Sequence, residues 1–492
     1  MPNLSTYTTS TVYKKYRNRN THIVSKYTIE YIIPTLNGIT KTKKMTSLTS
    51  NNKNVDDNIH KKRIVVVGRG MIGSSLYKYL CKDDNKQLEI FCIGPNETKG
   101  KANIFGAWYD EGRITRCSDP NITWATLAKS SIEQYRAIEN ESNIKFYHEV
   151  GHLVVGSKNQ VHMKNVFDVV EKNNLKDTEK ILSLEELKQR YPYANLNTKD
   201  NSPVGLLEKK RSGHISPRKF VEAQCKIGQL RNNKSTIINK KVIAIRPDKN
   251  DKNKWCIEAV NNENSNDIDN DNIDIFKIGD IDHIVIAAGA WMNFRPLLYN
   301  NLKQRIFINI QLMCTQVSKF EISIEEAKQF DNMPSLIYKD LLSFWAYVLP
   351  PIMYPDKKVY MKIGGGYFDT PQKELKTEND VIKWYQSKGD QDLHSKITTF
   401  FYQLFPNVKV LSSHSDSCIT CHTKTKQLFI GPICNNTMSV ACGGNGYAAK
   451  SADAIGKLAS DMVLKNVLNC NNAWDDECIK KFKPEIGIVQ KN

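Results

Sequence analysis

From Arg63 onward the chain takes on a regular rhythm of apolar and polar positions. Residues 64–67 read Ile-Val-Val-Val, a β-branched run suited to a strand buried on both faces. The turn Gly-Arg-Gly-Met-Ile-Gly follows at 68–73. Leu76, Tyr79 and Leu80 then fall at the i, i+3, i+4 spacing of one helix face. Leu-Glu-Ile-Phe-Cys-Ile-Gly at 88–94 reads as the next strand. Further on, Asp119-Pro120 reads as a cap and first-turn proline, and Trp124, Leu127, Ala128, Ile132, Tyr135 and Ile138 line the face of the helix it starts. Ser183 and Glu186 form a capping box for a short helix that Pro192 ends. Ser216-Pro217 opens another helix, running through Phe220, Val221 and Ile227. Strands are predicted at about 235–246, 254–260 and 283–288, with the Asn/Asp-rich run NNENSNDIDNDN as a solvated hairpin loop between the last two. The stretch 305–365, rich in Ile, Tyr, Val and Trp with proline breaks, predicts an antiparallel sheet. Ile455, Leu458, Ala459, Met462 and Val463 mark a late amphipathic helix.

At 492 residues the chain is long enough for two or three domains of ~100–200 residues each. It is 40% hydrophobic and 25% charged, which excludes wholesale disorder and fibrous repeats. No run reaches the ~18 consecutive apolar residues of a membrane span. Twelve cysteines are too few for a disulfide scaffold and fit a reducing, intracellular compartment. The net charge of +18 raises the question of nucleic acid, but its distribution answers it. Residues 1–62 hold eleven basic and three acidic residues, and the remaining surplus is scattered singly. No cluster of Lys and Arg interleaves with aromatics as a strand-binding groove requires, so no nucleic-acid partner is expected. The segment 1–59 is basic, hydroxyl-rich and without a sustained period. It reads as a disordered tail or a mitochondrial transit peptide, which leaves mitochondrial or cytoplasmic placement open. The C-terminal Val-Gln-Lys-Asn is not the peroxisomal Ser-Lys-Leu address.

Three motifs carry chemistry. In GRGMIG, Gly68 permits a tight turn, Gly70 lets backbone approach a pyrophosphate, and Gly73 lets helix and strand pack closely. The N–H groups around Met71 and Ile72 would face the phosphates. The strand–turn–helix–strand setting makes this a dinucleotide fingerprint. The acidic ribose ligand that should end the second strand is absent; Gly94-Pro95 stands there, and Glu97 in the following loop is expected to take the contact. The second motif, HIVIAAGAW at 283–291, is a buried strand ending in small residues. The third spans 417–456, where Gly443, Gly444 and Gly446 open the late helix and present backbone N–H groups to a negative oxygen. Residues 418–422 also spell Cys-x-x-Cys-His, the pattern of c-type haem attachment, but nothing else in the chain accounts for a haem. No second Cys-x-x-Cys completes a zinc site, so no metal is expected.

Taken in order, GRGMIG, FGAWYDEGRITR (105–116), FYHEVGHLVVG, SGHISPRKFV, VIAAGAW, VYMKIGGG, SCIT and GGNGYAAKSADAIG resemble the D-amino-acid oxidase superfamily of flavoproteins. Within it, the chain resembles the monomeric sarcosine oxidase and N-methyl-amino-acid oxidase branch, from about Arg63 to about Lys465. The resemblance implies FAD as cofactor, held by a thioether to Cys418, the first residue of Cys-Ile-Thr. It implies that Lys362 in YMKIGG serves the reaction with O2, where a fixed cation stabilises the superoxide charge. Of the two arginines in GRITR, it places Arg113 by the flavin and Arg116 on a substrate carboxylate, which a guanidinium grips bidentately. Two positions depart from the pattern: Ala448 stands where a second carboxylate-binding lysine belongs, with Lys450 two residues on, and Gly366 replaces a histidine.

The expected fold is α/β: a Rossmann-type FAD-binding domain with a second α+β substrate domain built on an antiparallel sheet. The FAD-binding domain is expected to combine 60–147, 210–300 and 423–470. The substrate domain would combine 148–209 and 301–422, leaving 471–492 as a C-terminal extension. The expected reaction is oxidation of a C–N bond in a secondary or N-substituted amino acid, with hydride passing to the flavin and O2 then reduced to hydrogen peroxide. A flavin dehydrogenase with a non-O2 acceptor, and an inactive flavin-fold binding protein, remain the alternatives.

Overall fold

The computed structural model describes residues 28–33, 41–46, 62–82, 88–97, 105–261, 274–341, 344–367, 372–465 and 480–489. The chain divides into two compact units, residues 1–60 and 61–492. In the first, where the sequence shows no period, Thr28–Ile33 and Lys41–Thr46 pair as an antiparallel hairpin with Thr28 opposite Thr46.

The second unit is organised around two large sheets. One has six strands, in the order Ser235–Ile238, Glu89–Ile93, Arg63–Val67, His283–Ile286, Met438–Cys442, Phe429–Cys434. All neighbours are parallel except the last pair. Ile64, Val65, Val66, Ile284, Val285 and Ile286 are fully buried, because helices cover one face and a three-stranded sheet lies over the other. The helices Met71–Leu80, Ile122–Ser142, Pro217–Arg231 and Ala448–Lys465 pack together on the first face. Gly456 allows a close approach of two of these helices: a Cβ there would meet the Leu76 backbone nitrogen at 2.5 Å.

The second large sheet carries the Val359–Tyr367 strand between Ile310–Ile322 and Phe344–Met353, and extends through Ser335–Leu341, His152–Ser157, Pro203–Glu208 and Thr178–Ile181. The long strand Ser412–Thr423 also pairs with Ile310–Ile322. The proline break expected in this stretch is tolerated inside a strand: Pro350 and Pro351 sit at a register shift between Leu349 and Ile352, where ladder hydrogen bonds are interrupted anyway.

Two local expectations are corrected. The single strand at 235–246 is two strands in different sheets. Ser235–Ile238 is parallel to Glu89–Ile93, the chain turns at Asn239-Lys240, and Lys241–Pro247 joins Trp255–Val260 antiparallel. The helix after Asp119-Pro120 is capped by Asn121, whose side chain accepts from Thr123 and Trp124 N–H. Asp119 is withdrawn to a buried ion cluster described below. The caps at Ser183 and Ser216 lie where the sequence places them. The Asn/Asp-rich run expected as a hairpin loop between 254–260 and 283–288 lies, after Asn261, outside the described residues; it is followed by a strand the sequence did not predict, Phe276–Ile281, which pairs antiparallel with Trp255–Val260.

The helix layer contains a buried ion pair between Lys78 and Asp453. Asp453 accepts from Lys78 at 2.5 Å, from the Tyr79 hydroxyl at 2.7 Å and from Gln224 at 2.8 Å. Burial lowers the proton affinity of Lys78, and the Asp453 carboxylate opposes that. Asp453→Ala strands this ammonium in an apolar layer and is expected to cost ~3–5 kcal/mol. Chemical denaturation of the variant beside the wild type measures this loss directly.

Candidate active site

A cavity of about 280 Å³ runs along the carboxyl edge of the six-stranded sheet, where α/β folds place nucleotide ligands. Its floor is the glycine turn. Gly68 has φ +106°, open to glycine alone at no cost, and a Cβ there would strike the Ala287 carbonyl oxygen at 2.3 Å. A Cβ on Gly73 would lie 1.8 Å from the Gly68 carbonyl oxygen. Gly70 caps the helix Met71–Leu80 without any side-chain hydrogen bond. Its first N–H groups therefore face the cavity, and Gly68, Gly70, Met71 and Ile72 all line it. Gly443, Gly444 and Gly446 line the opposite wall together with Ala448. An uncapped helix start, a turn with no room for side chains and a second glycine-rich wall fit a dinucleotide whose phosphates need backbone donors.

Glu97 is placed elsewhere. Both its oxygens accept from Arg218 at 2.6 Å, and Glu97 does not line the cavity. Arg218 also reaches Glu111 at 3.0 Å. The end of the second strand is held instead by Arg69, whose guanidinium donates to the side-chain carbonyls of Asn96 and Asn239.

Lys362 is fully buried in the middle of the Val359–Tyr367 strand. Its ammonium donates to Asp110 Oδ2 at 2.7 Å and to the Gly112 carbonyl. Arg113 donates to the same Asp110 oxygen, and Tyr354 donates to Asp110 Oδ1 at 2.8 Å. Burial, followed by Arg113 and Lys319, pushes the proton affinity of Lys362 well below the ordinary lysine range. The Asp110 carboxylate in direct contact works in the opposite direction. Asp110 was not singled out by the sequence; only its place in the YDEGR run next to Arg113 hinted at it.

Cys418 lies 3.9 Å from Arg113 Nη2, and its carbonyl accepts from the Trp384 indole at 2.8 Å. It lines a second, small polar cavity of about 60 Å³ that shares Tyr109 and Arg113 with the large one. Cys421 is three residues on in the same extended strand, so its side chain leaves from the other face. It lines the large cavity, where burial pushes its thiol up to about 12. His422 shares a hydrogen bond of 2.9 Å with Thr420. Among the described residues no group of three His, Cys, Asp or Glu side chains is placed to hold a metal ion.

Arg116 does not line either cavity. It donates to Asp119 Oδ2 at 3.0 Å, and Lys450 donates to the same oxygen at 2.9 Å. Burial works to raise the Asp119 carboxyl, but Lys450 and Arg116 together hold it below its ordinary value. Burial drops Lys450 to about 8 despite Asp119. Both candidate carboxylate ligands are thus engaged inside the protein. The wall nearest the substrate strands is aromatic: Phe105 stacks on Tyr385 at 5.4 Å, and Tyr385 on Trp291 at 6.1 Å.

These features define an α/β fold with a glycine-rich cavity at the carboxyl edge of a mainly parallel sheet, lined also by Ile419, Thr420 and Cys421 from the second large sheet. Residues 63–462 match the model of the FAD dependent oxidoreductase (DAO) family, and the chain belongs to that family. It is 22% identical over 409 residues to a monomeric sarcosine oxidase from Streptomyces avermitilis, covering 82% of this chain and 93% of that one. The fold is similar to that of NikD, described as an unusual amino acid oxidase essential for nikkomycin biosynthesis. That match has TM-score 0.63 at 14% identity and covers 88% of this chain and 100% of that one. L-proline dehydrogenase from P. horikoshii matches with TM-score 0.59 at 17% identity over 82% and 94% of the two chains. Fructosamine oxidase (Amadoriase II) from Aspergillus fumigatus matches with TM-score 0.60 at 14% identity over 86% and 89%. The chain is a FAD-dependent oxidoreductase of a family acting on C–N bonds of amino acids and amines. Among the described residues no helix is long and apolar enough to cross a membrane.

Proposed function

We propose that the protein is an oxidase of secondary or N-substituted amino acids, with O2 as its electron acceptor. The observation that carries this reading is Lys362, a lysine sequestered from solvent and held beside Arg113 at the junction of the two sheets. In this reading the six-stranded sheet carries the cofactor and the second large sheet, antiparallel but for the parallel pair Ser335–Leu341 and His152–Ser157, forms the substrate side. Bound along the glycine turn, FAD supplies a two-electron acceptor for the C–N bond and passes the electrons to O2 to give hydrogen peroxide. Gly68, Gly70 and the N–H groups of Met71 and Ile72 hold the phosphates. Gly443, Gly444 and Gly446 face the other end. Lys362 supplies positive charge where charge develops on oxygen. The aromatic wall of Phe105, Trp291 and Tyr385 excludes water and packs the apolar part of the substrate. Thr420 and Ala448 line the same space without bulk.

The engagement of Arg116 and Lys450 with Asp119 argues for substrates larger and less dependent on a gripped carboxylate than sarcosine. A second reading, a dehydrogenase with a non-O2 acceptor, draws on Asp110, which offsets the charge of Lys362 through a direct ion pair. Parallel assays with air and with an artificial quinone under nitrogen separate the two. Peroxide formed in air at a rate matching turnover supports the oxidase; turnover with quinone alone supports the dehydrogenase.

The link to FAD is tested at Cys418. Acid precipitation of the wild type is expected to leave the yellow colour in the pellet, through a thioether to Cys418. Cys418→Ala is expected to release it into the supernatant while the folded protein still binds FAD. Colour that leaves the wild-type pellet removes the covalent link.

A further inference from the structure

Lys241 begins the strand Lys241–Pro247 and lines the large cavity. Its side chain is almost wholly withdrawn from solvent, at 3% exposure. The other buried lysines described above, Lys78, Lys362 and Lys450, each sit within 3 Å of a carboxylate oxygen. Lys241 has no hydrogen bond or ion pair among the described residues. The charged groups facing it are Arg295, a like charge, and Glu378, which Arg295 already holds at 2.5 Å. An ammonium on the cavity wall, beside a like charge and with no carboxylate of its own, is stabilised by an anion that a ligand brings into the cavity.

Its position narrows the ligand. Lys241 follows directly on the turn at Asn239, which Arg69 of the glycine motif grips, and Gly94 N–H donates to the neighbouring Ile238 carbonyl at 3.0 Å. It therefore enters the cavity from the carboxyl edge of the parallel sheet, close to the glycine turn, while Cys418 lines the separate small cavity. We propose that Lys241, backed by Arg295, is an anion-receiving residue of this cavity, taking an anionic oxygen of the bound ligand. That oxygen belongs to a phosphate of the dinucleotide or to a carboxylate of the substrate. This rests on the reading that the cavity holds FAD. No other role for Lys241 follows from its contacts.

Burial, then Arg295, lowers Lys241 to about 8, with Glu378 acting in the other direction. An anion beside it raises that value again, so binding near pH 8 takes up a fraction of a proton. The test is calorimetry at pH 8 in two buffers of different ionisation enthalpy. The full chain is used in a Cys418→Ala background, so that FAD binding stays reversible, and apoprotein comes from riboflavin-limited expression. FAD is expected to bind with proton uptake. Lys241→Met is expected to abolish the uptake and weaken FAD ~10–100-fold, and Lys241→Arg to restore most of the affinity.

If FAD binds Lys241→Met normally, sarcosine and L-proline are titrated into the FAD-loaded proteins. Proton uptake in the wild type that is missing in the variant assigns the anion to the substrate carboxylate. A Lys241→Met protein that melts with the wild type and matches it in FAD affinity and in proton uptake with all three ligands overturns the inference. A parent protein that binds no FAD overturns instead the flavin reading on which the inference rests.

Discussion

Lys362→Met is expected to slow reoxidation of the substrate-reduced protein by O2 by roughly two to three orders of magnitude, the size of effect seen when one preorganised charge-stabilising donor is removed. Reduction by substrate is expected to stay within a few-fold, because Lys362 is bound to Asp110 and Gly112 and does not line the large cavity. Methionine keeps the volume of the side chain, and Asp110 keeps Arg113 and Tyr354 as partners, so the variant is expected to fold with reduced stability. Stopped-flow mixing separates the two half-reactions. An unchanged rate with O2 would remove Lys362 from the chemistry and leave it as the counter-ion that keeps Asp110 and Arg113 in place.

Gly73→Val is expected to yield protein without bound flavin, and with stability reduced beyond the ~4–5 kcal/mol that marks an exceptional substitution. The reason is geometric. A Cβ at 73 would sit 1.8 Å from the Gly68 carbonyl oxygen, and that obstacle is backbone, which cannot swing aside. Separating the two would move the first helix off the strand Arg63–Val67 and open the phosphate turn. Gly446→Ala is the contrast. Gly446 has φ +80°, so alanine there carries ~1 kcal/mol or more of backbone strain, but its Cβ meets nothing within 4 Å. That variant is expected to fold and keep its flavin. Absorbance of the purified proteins, normalised to protein concentration, checks both. A yellow, normally stable Gly73→Val protein would show that helix and strand do not pack at this turn.

The parts of this molecule that were legible in the sequence are the ones fixed by neighbours. The turn 68–73, the helix stripe Leu76–Tyr79–Leu80 and the caps Ser183 and Ser216 depend on residues a few positions apart, and the structure has them in place. What could not be read depends on distant partners. Asp110 acquires its meaning from Lys362, 252 residues later. Glu97 is taken by Arg218, 121 residues away, and no local pattern announces that competition. Asp119-Pro120 has the form of a helix start, yet Asp119 is drawn to Lys450, 331 residues on, and the cap passes to Asn121. The strand predicted at 235–246 failed for a related reason. Ser235–Ile238 and Lys241–Pro247 each carry a run of strand formers, and the polar pair Asn239-Lys240 between them is where the chain passes from one sheet to another.

The buried charges give the site its character. The Lys362–Asp110–Arg113 and Arg116–Asp119–Lys450 clusters each gather two cations on one carboxylate. The first stands beside the small cavity that holds Cys418, and the second lies outside both cavities. The family resemblance had placed Arg113 by the flavin and Arg116 on a substrate carboxylate.

The most direct test of the account is a single spectroscopic experiment on the purified full-length protein. Its visible spectrum is recorded, candidate substrates such as L-proline and N-methyl amino acids are added without oxygen, and air is then admitted. The protein is expected to be yellow, with flavin bands that bleach with a secondary amino acid and return in air as hydrogen peroxide appears. A colourless protein that takes up no added FAD would contradict it.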